Sequence, residues 1–191
     1  MDNTPPGSNK PEIVLQALYV AQQLAFSGSC LDEVGKLLAL LAGHIRTGKI
    51  AEIGTGCGVG TAWLISAATV DVFTVDHDIS RVNRVRQLFA HHSGVHVLAG
   101  DWTQILSHGP FQLIFVDAKP AKYAGIDAII SACAEGGLIF LDDLTPFELW
   151  PEAWKNKRDP LRDMWLNHSQ LWSVEIRTSA RHAAILARRT K

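Results

Sequence analysis

A chain of 191 residues with 47% hydrophobic content can bury one sizeable core and leaves little room for a second domain. Its 18 Lys and Arg against 19 Asp and Glu leave a net charge of −1, so it exerts no general pull on nucleic acid or an anionic membrane, and a small organic partner is favoured. The three cysteines, Cys30, Cys57 and Cys133, lack paired or metal-type spacing. With neither a signal peptide nor a run of about 18 apolar residues, the composition points to a reduced, cytoplasmic protein without a membrane span.

Residues 1–9 are mostly Pro, Gly, Ser and Asn and read as a disordered arm, leaving 10–191 as a single domain. Within 10–44, helical spacing of Ile13, Val14, Ala17, Leu18, Ala21 and Leu24 predicts a helix over 11–26, and the pattern repeats over 31–42 after the break Ser27-Gly28-Ser29. These helices could form a lid over one face of a site. Their apolar surface also suits a homodimer, although packing on the chain's own sheet explains the same pattern. From 49 to 143 strands and helices alternate: strand 49–53, helix 61–68, strand 72–75, helix 80–91, strands 95–98 and 112–116, helix 121–134, strand 138–141. Such alternation implies a parallel sheet covered on both faces. In 144–191 a variable cap contains a helix over 161–166 started by Pro160, and strands 172–177 and 182–188 read as an antiparallel pair.

The run Glu52-Ile53-Gly54-Thr55-Gly56-Cys57-Gly58-Val59-Gly60 breaks the first strand into alternating glycines and then into a helix carrying Trp63, Leu64 and Ile65. Without Cβ atoms, such a loop can let its amides close on a nucleotide-bearing ligand. The dinucleotide fingerprint G-x-G-x-x-G does not fit, because its sixth position is Val59 counted from Gly54 and Thr61 counted from Gly56. Asp76 ends the 72–75 strand, where a carboxylate can accept from both ribose hydroxyls or merely cap a helix; His77 beside it would line the same pocket. Gly100-Asp101-Trp102 closes the third strand and is by itself only a turn. Cys57 reads as a small residue filling tight space rather than as a nucleophile.

The pattern E-x-G-x-G-x-G resembles motif I of the class I S-adenosylmethionine (SAM) dependent methyltransferases. The resemblance implies a Rossmann-like α/β fold: a seven-stranded, mostly parallel sheet with helices on both faces and an antiparallel C-terminal pair. It also implies a SAM site formed by Glu52, Gly54, Thr55, Gly56, Gly58, Gly60, Asp76, His77, Gly100, Asp101, Trp102 and Asp117, with Asp101 at the adenine amino group and Trp102 against the ring.

Two further strand ends carry acids. Residues 111–116 lead into Asp117, and 136–141 lead into Asp142-Asp143; as parallel neighbours they bring three carboxylates to the crevice where open α/β sheets bind ligands. Mutual repulsion there calls for a cation, and hard ions such as Mg²⁺ or Ca²⁺ take oxygen ligands. With Tyr123 six residues past Asp117, the arrangement resembles the cation-dependent O-methyltransferases of the catechol and caffeoyl-CoA type, whose fifth strand ends in Asp-Asn. That resemblance places Asp117, Asp142 and Asp143 at metal-ligand positions and implies methyl transfer to a hydroxyl of a small aromatic or polyhydroxylated acceptor.

Departures from the family pattern leave alternatives open. The usual Asp and Lys, two and three residues past the fourth-strand acid, are replaced by Lys119 and Pro120, and Asp143 replaces Asn. A cation could bind more tightly, one carboxylate could be protonated, or Lys119 could supply the positive charge without a metal. Lys119, with Asp117 and Asp142, is the catalytic candidate as general base, or else a solvated loop lysine; Lys122 is expected to point to solvent from the following helix. Trp150, Trp154, Trp165 and Trp172 follow the site strands and suit either an aromatic substrate wall or core. Two other classes compete: an NAD-type nucleotide-binding oxidoreductase, against which the glycine register counts, and a non-catalytic SAM-binding module. Methylation of tRNA is a narrower variant of the enzyme reading, against which the net charge counts.

Overall fold

The computed structural model describes residues 10–191, so the expected arm at 1–9 lies outside the described residues. In chain order the elements are α1 (Glu12–Gln23), α2 (Asp32–His44), β1 (Lys49–Ile53), α3 (Val59–Ile65), β2 (Asp71–Asp76), α4 (Ile79–Leu88) and β3 (Val95–Ala99). A 3₁₀ helix (Trp102–His108), β4 (Phe111–Val116), α5 (Lys119–Ala124), α6 (Ile126–Ala132) and β5 (Cys133–Leu144) follow. A 3₁₀ turn (Phe147–Leu149), α7 (Glu152–Lys155), α8 (Pro160–Leu166), β6 (Leu171–Arg177) and β7 (Ala183–Arg189) complete the chain.

The seven strands form one sheet in the order β3-β2-β1-β4-β5-β7-β6. The first five are parallel, and β7 runs antiparallel to both β5 and β6. Period-two patterning explains why both faces are covered. Ile114, Val116, Ile139 and Leu141 belong to one apolar cluster with α6 and α8, while Leu113, Phe115 and Phe140 belong to another with α2 and α3. Ile53 pairs with both Val75 and Val116, Val75 with Leu98, and Val116 with Leu141. The residues that follow these pairs, Gly54, Asp76, Asp117 and Asp142, therefore leave the sheet along one edge. Because the chain crosses from β1 to β2 on one side and reaches β4 on the other, the edge beside β1 is the crevice expected of an open sheet.

Three local features differ from the sequence reading. The helix expected over 121–134 is broken into α5 and α6 at Gly125, where a Cβ would lie 2.5 Å from the Trp102 ring and 2.8 Å from the Ala121 carbonyl oxygen. The fifth strand begins early, at Cys133, because a register shift between Phe111 and Leu113 absorbs the extra residues. Finally, α1 packs on α3 and α4, and α2 on α3, against one face of the sheet rather than over the strand ends. The connection between α1 and α2 reaches the crevice instead.

Candidate active site

A cavity of about 470 Å³ opens along the carboxyl ends of the parallel strands, within the range of small-molecule sites. It gathers Glu52, Gly54, Thr55, Gly56, Gly60, Asp76, His77, Gly100, Asp101, Trp102, Asp117, Lys119 and Asp143 from the residues singled out in the sequence. Two others lie off its wall. Gly58 caps α3 against Phe89, and Asp142 is only 5% exposed beneath the surface.

At the β1 end the site is closed by a polar relay. Thr61 Oγ1 and Thr74 Oγ1 both donate to Glu52 Oε2, the latter at 2.7 Å. Thr55 Oγ1 lies 2.6 Å from Thr74 Oγ1 and completes the chain as its donor. Burial pushes the Glu52 carboxyl up to about 8 despite these donors. Two glycines make room for this arrangement. A Cβ on Gly60 would sit 2.2 Å from Glu52 Oε1, and Gly54, at φ +107°, brings β1 against the end of β4, where its Cβ would lie 3.0 Å from the Ala118 nitrogen.

At the β2 end Asp76 is 8% exposed and surrounded by donors. The Gly56 N–H donates to Oδ2 at 2.8 Å; the Asp78 N–H and Arg81 Nη2 donate to Oδ1 at 2.9 and 3.0 Å. His77, its side chain 85% exposed, stands 3.5 Å from Oδ1 at the rim. Asp76 does not cap α4; Asp78 does, accepting from the Ser80 and Arg81 amides. Asp101 caps the 3₁₀ helix by accepting from Thr103 N and Oγ1, and these bonds hold its carboxyl below the usual range. Trp102 lines the cavity with its ring against Gly125. Cys57, 1% exposed, fills space in the glycine loop.

The β4 and β5 ends depart most from the sequence expectation. Asp117 and Asp143 line the cavity, whereas Asp142 is buried and Asp143 is exposed, with the backbone turned to φ +60° between them and solvent. Among the described residues no three His, Cys, Asp or Glu side chains come together as a metal-ion site. Asp117, Asp142 and Asp143 do not form such a group. Burial raises the Asp117 carboxyl, opposed by Lys122; burial also pushes Asp142 up to about 6. Lys119 stands exposed on the rim as the first residue of α5.

Lys122 was expected in solvent and is instead buried, its residue 4% exposed. Its Nζ donates to the Asp142 carbonyl at 2.7 Å and lies 3.6 Å from Asp117 Oδ1. Trp165, fully buried, donates from Nε1 to the Lys122 carbonyl at 2.8 Å, so it is a core residue; Trp150, Trp154 and Trp172 are not among the cavity residues.

Sequence reasoning also missed one wall. Phe26, Gly28, Ser29 and Cys30, from the α1–α2 connection, line the cavity. The Arg81 guanidinium lies 5.2 Å from the Phe26 ring centroid, joining that wall to the Asp76 cluster. The Ser29 hydroxyl is buried without a hydrogen-bond partner. The only advance signal was Ser27-Gly28-Ser29, which reads as a break.

Residues 51–144 match the family model described as a methyltransferase domain. A catechol O-methyltransferase of Mycobacterium tuberculosis is 36% identical over 121 residues, covering 58% of this chain and 54% of that protein. The chain spans about half the length of the curated relatives it matches. Solved structures share the fold, and two of them show its extent. The O-methyltransferase TomG from Streptomyces achromogenes, in complex with SAM, aligns with a TM-score of 0.78 at 21% identity over 95% of this chain and 91% of its own. An O-methyltransferase from Bacillus cereus in complex with SAH aligns with a TM-score of 0.78 at 20% identity over 97% and 94%. Among the described residues no helix is long and apolar enough to cross a membrane.

Proposed function

We propose that this chain, whose residues 51–144 match a methyltransferase domain, is a class I methyltransferase that transfers a methyl group from SAM to a hydroxyl oxygen of a small acceptor. The observation that carries this reading is the single cavity in which Glu52, Asp76 and Trp102 lie along the β1 to β3 ends and Asp117, Lys119 and Asp143 along the β4 and β5 ends. The residues present fit SAM. Asp76 has lone pairs for ribose hydroxyls beside its protein donors, Trp102 offers a flat apolar wall, and the unpartnered Ser29 hydroxyl offers a donor to a polar group.

Bound SAM supplies a sulfonium methyl that is already electrophilic. What the chain must add is alignment, which can lower such a barrier by about 7–11 kcal/mol. Gly54 and Gly56 let the backbone approach one partner closely, while Asp117 faces the other. As the acceptor oxygen bonds to the methyl carbon, the carbon–sulfur bond breaks and its electron pair stays on sulfur. The acceptor proton passes to Asp117, whose raised proton affinity suits it as the base. Lys119, exposed at the rim, sits where an acceptor enters. The catechol methyltransferase relative makes catechols the first acceptors to try.

Incubation with methyl-labelled SAM and a panel of catechols tests this. Label in the organic product is expected. Intact S-adenosylhomocysteine (SAH) binding with no transfer to any acceptor would instead favour a non-catalytic binding module.

A further inference from the structure

We propose that the Lys122 ammonium is the resident cation of this site, standing between Asp117 and the end of β5 so that the chain binds and needs no divalent ion there. The argument starts from the sheet. Val116 pairs with Leu141, so the next residues, Asp117 and Asp142, emerge side by side, with Asp143 one step further. Acids so placed require a positive charge. Lys122 provides one from within the protein. Its side chain is 5% exposed, and its Nζ has hydrogen-bond contact with the Asp142 carbonyl at 2.7 Å and ionic contact with Asp117 Oδ1 at 3.6 Å.

The lysine is held there rather than visiting. The α5 turn that carries it is pinned by Trp165 Nε1 on its carbonyl at 2.8 Å, and α5 stops at Gly125, so the helix cannot rotate Lys122 outward without losing both constraints. Meanwhile the left-handed turn at Asp143 leaves Asp142 buried and Asp143 exposed, on the same cavity as Asp117. A hard divalent ion wants six or more oxygens. Here one carbonyl oxygen is already taken by the ammonium, one carboxylate is paired with it, and an entering dication would meet a fixed positive charge.

The inference rests on the methyl-transfer reading for what the site does, but not for what it binds, and the experiment separates the two. The full chain is titrated with Mn²⁺, with free ion followed by electron spin resonance, with and without SAH; Lys122→Gln, which keeps a donor for the Asp142 carbonyl but no charge, is titrated alongside. Wild type is expected to show no saturable uptake up to about 1 mM. Folded Lys122→Gln is expected to take up one ion per chain, lost again on adding Asp117→Asn. Turnover by the wild type is expected to be unchanged by EDTA. One saturable Mn²⁺ per wild-type chain, EDTA-sensitive turnover, or a folded Lys122→Gln protein as inert to Mn²⁺ as wild type would each overturn the proposal. If SAH fails to bind the folded chain, the methyl-transfer reading falls while the Mn²⁺ arms still decide the role of Lys122.

Discussion

At the ends of β1 and β2, the buried carboxyl groups are satisfied by donors close in the chain, whereas at the ends of β4 and β5 the Asp117 carboxylate and the Asp142 carbonyl share one lysine fixed from far away. Glu52 is served by Thr61 and Thr74, and Asp76 by Gly56, Asp78 and Arg81, all within 22 residues of their acceptor. Lys122, by contrast, is oriented by Trp165, 43 residues downstream on α8. The first half of the cavity is therefore assembled by a strand, a loop and the next strand. The second half exists only once the C-terminal cap has packed, so damage to it should spread to the fold.

Lys122→Met should break that half most severely. The change leaves the buried Asp142 carbonyl without its donor and the partly exposed Asp117 without its cation, which costs about 1–3 kcal/mol, and chemical denaturation should show a loss of that size. Loss below about 1 kcal/mol would mean that the pair is incidental.

Glu52 sharpens the contrast from the other side. Its carboxyl is raised from 4.5 to about 8 in the folded, ligand-free chain, so the folded state holds a proton that the unfolded state releases. The corresponding stability is fully present below the unfolded value and is lost as pH rises through the folded one. The melting temperature of the ligand-free protein should therefore fall between about pH 4.5 and about pH 8, and Glu52→Gln should flatten that slope. An unchanged slope would place the proton elsewhere.

Asp76→Ala comes next. Loss of a charged acceptor facing the ligand should weaken SAH by about 1–3 kcal/mol, roughly 5- to 150-fold. Unaltered affinity in calorimetry would remove Asp76 from the binding set. Ser29→Ala should be the mildest change, weakening SAH several-fold while leaving the melting temperature in place, because the hydroxyl has no partner in the protein. A clear drop in melting temperature would show that Ser29 serves the fold instead.

The same division explains what the sequence revealed. Strand positions were legible because Ile114, Phe115, Val116 and Ile139, Phe140, Leu141 are apolar on both faces, and the acids at their ends follow from register alone. The glycine loop and Asp76 were legible because their partners lie one strand away. Lys122 was misplaced because helical spacing gives a side chain's angle around its own axis, and only Trp165 and the break at Gly125 decide which way that axis turns. Phe26, Ser29 and Cys30 were missed for a similar reason: a Ser-Gly-Ser break carries no signal of the wall it will form, since its burial comes from the Arg81 and glycine-loop surfaces opposite. Asp142 and Asp143 looked equivalent in the chain, and the positive φ at Asp143 separated them.

Calorimetric titration of SAH into the purified chain tests the central claim most directly. Saturable micromolar binding at one site per chain, weakened by Asp76→Ala, is the result predicted for a methyltransferase cavity along the strand ends. No heat of binding from a correctly folded chain would contradict it.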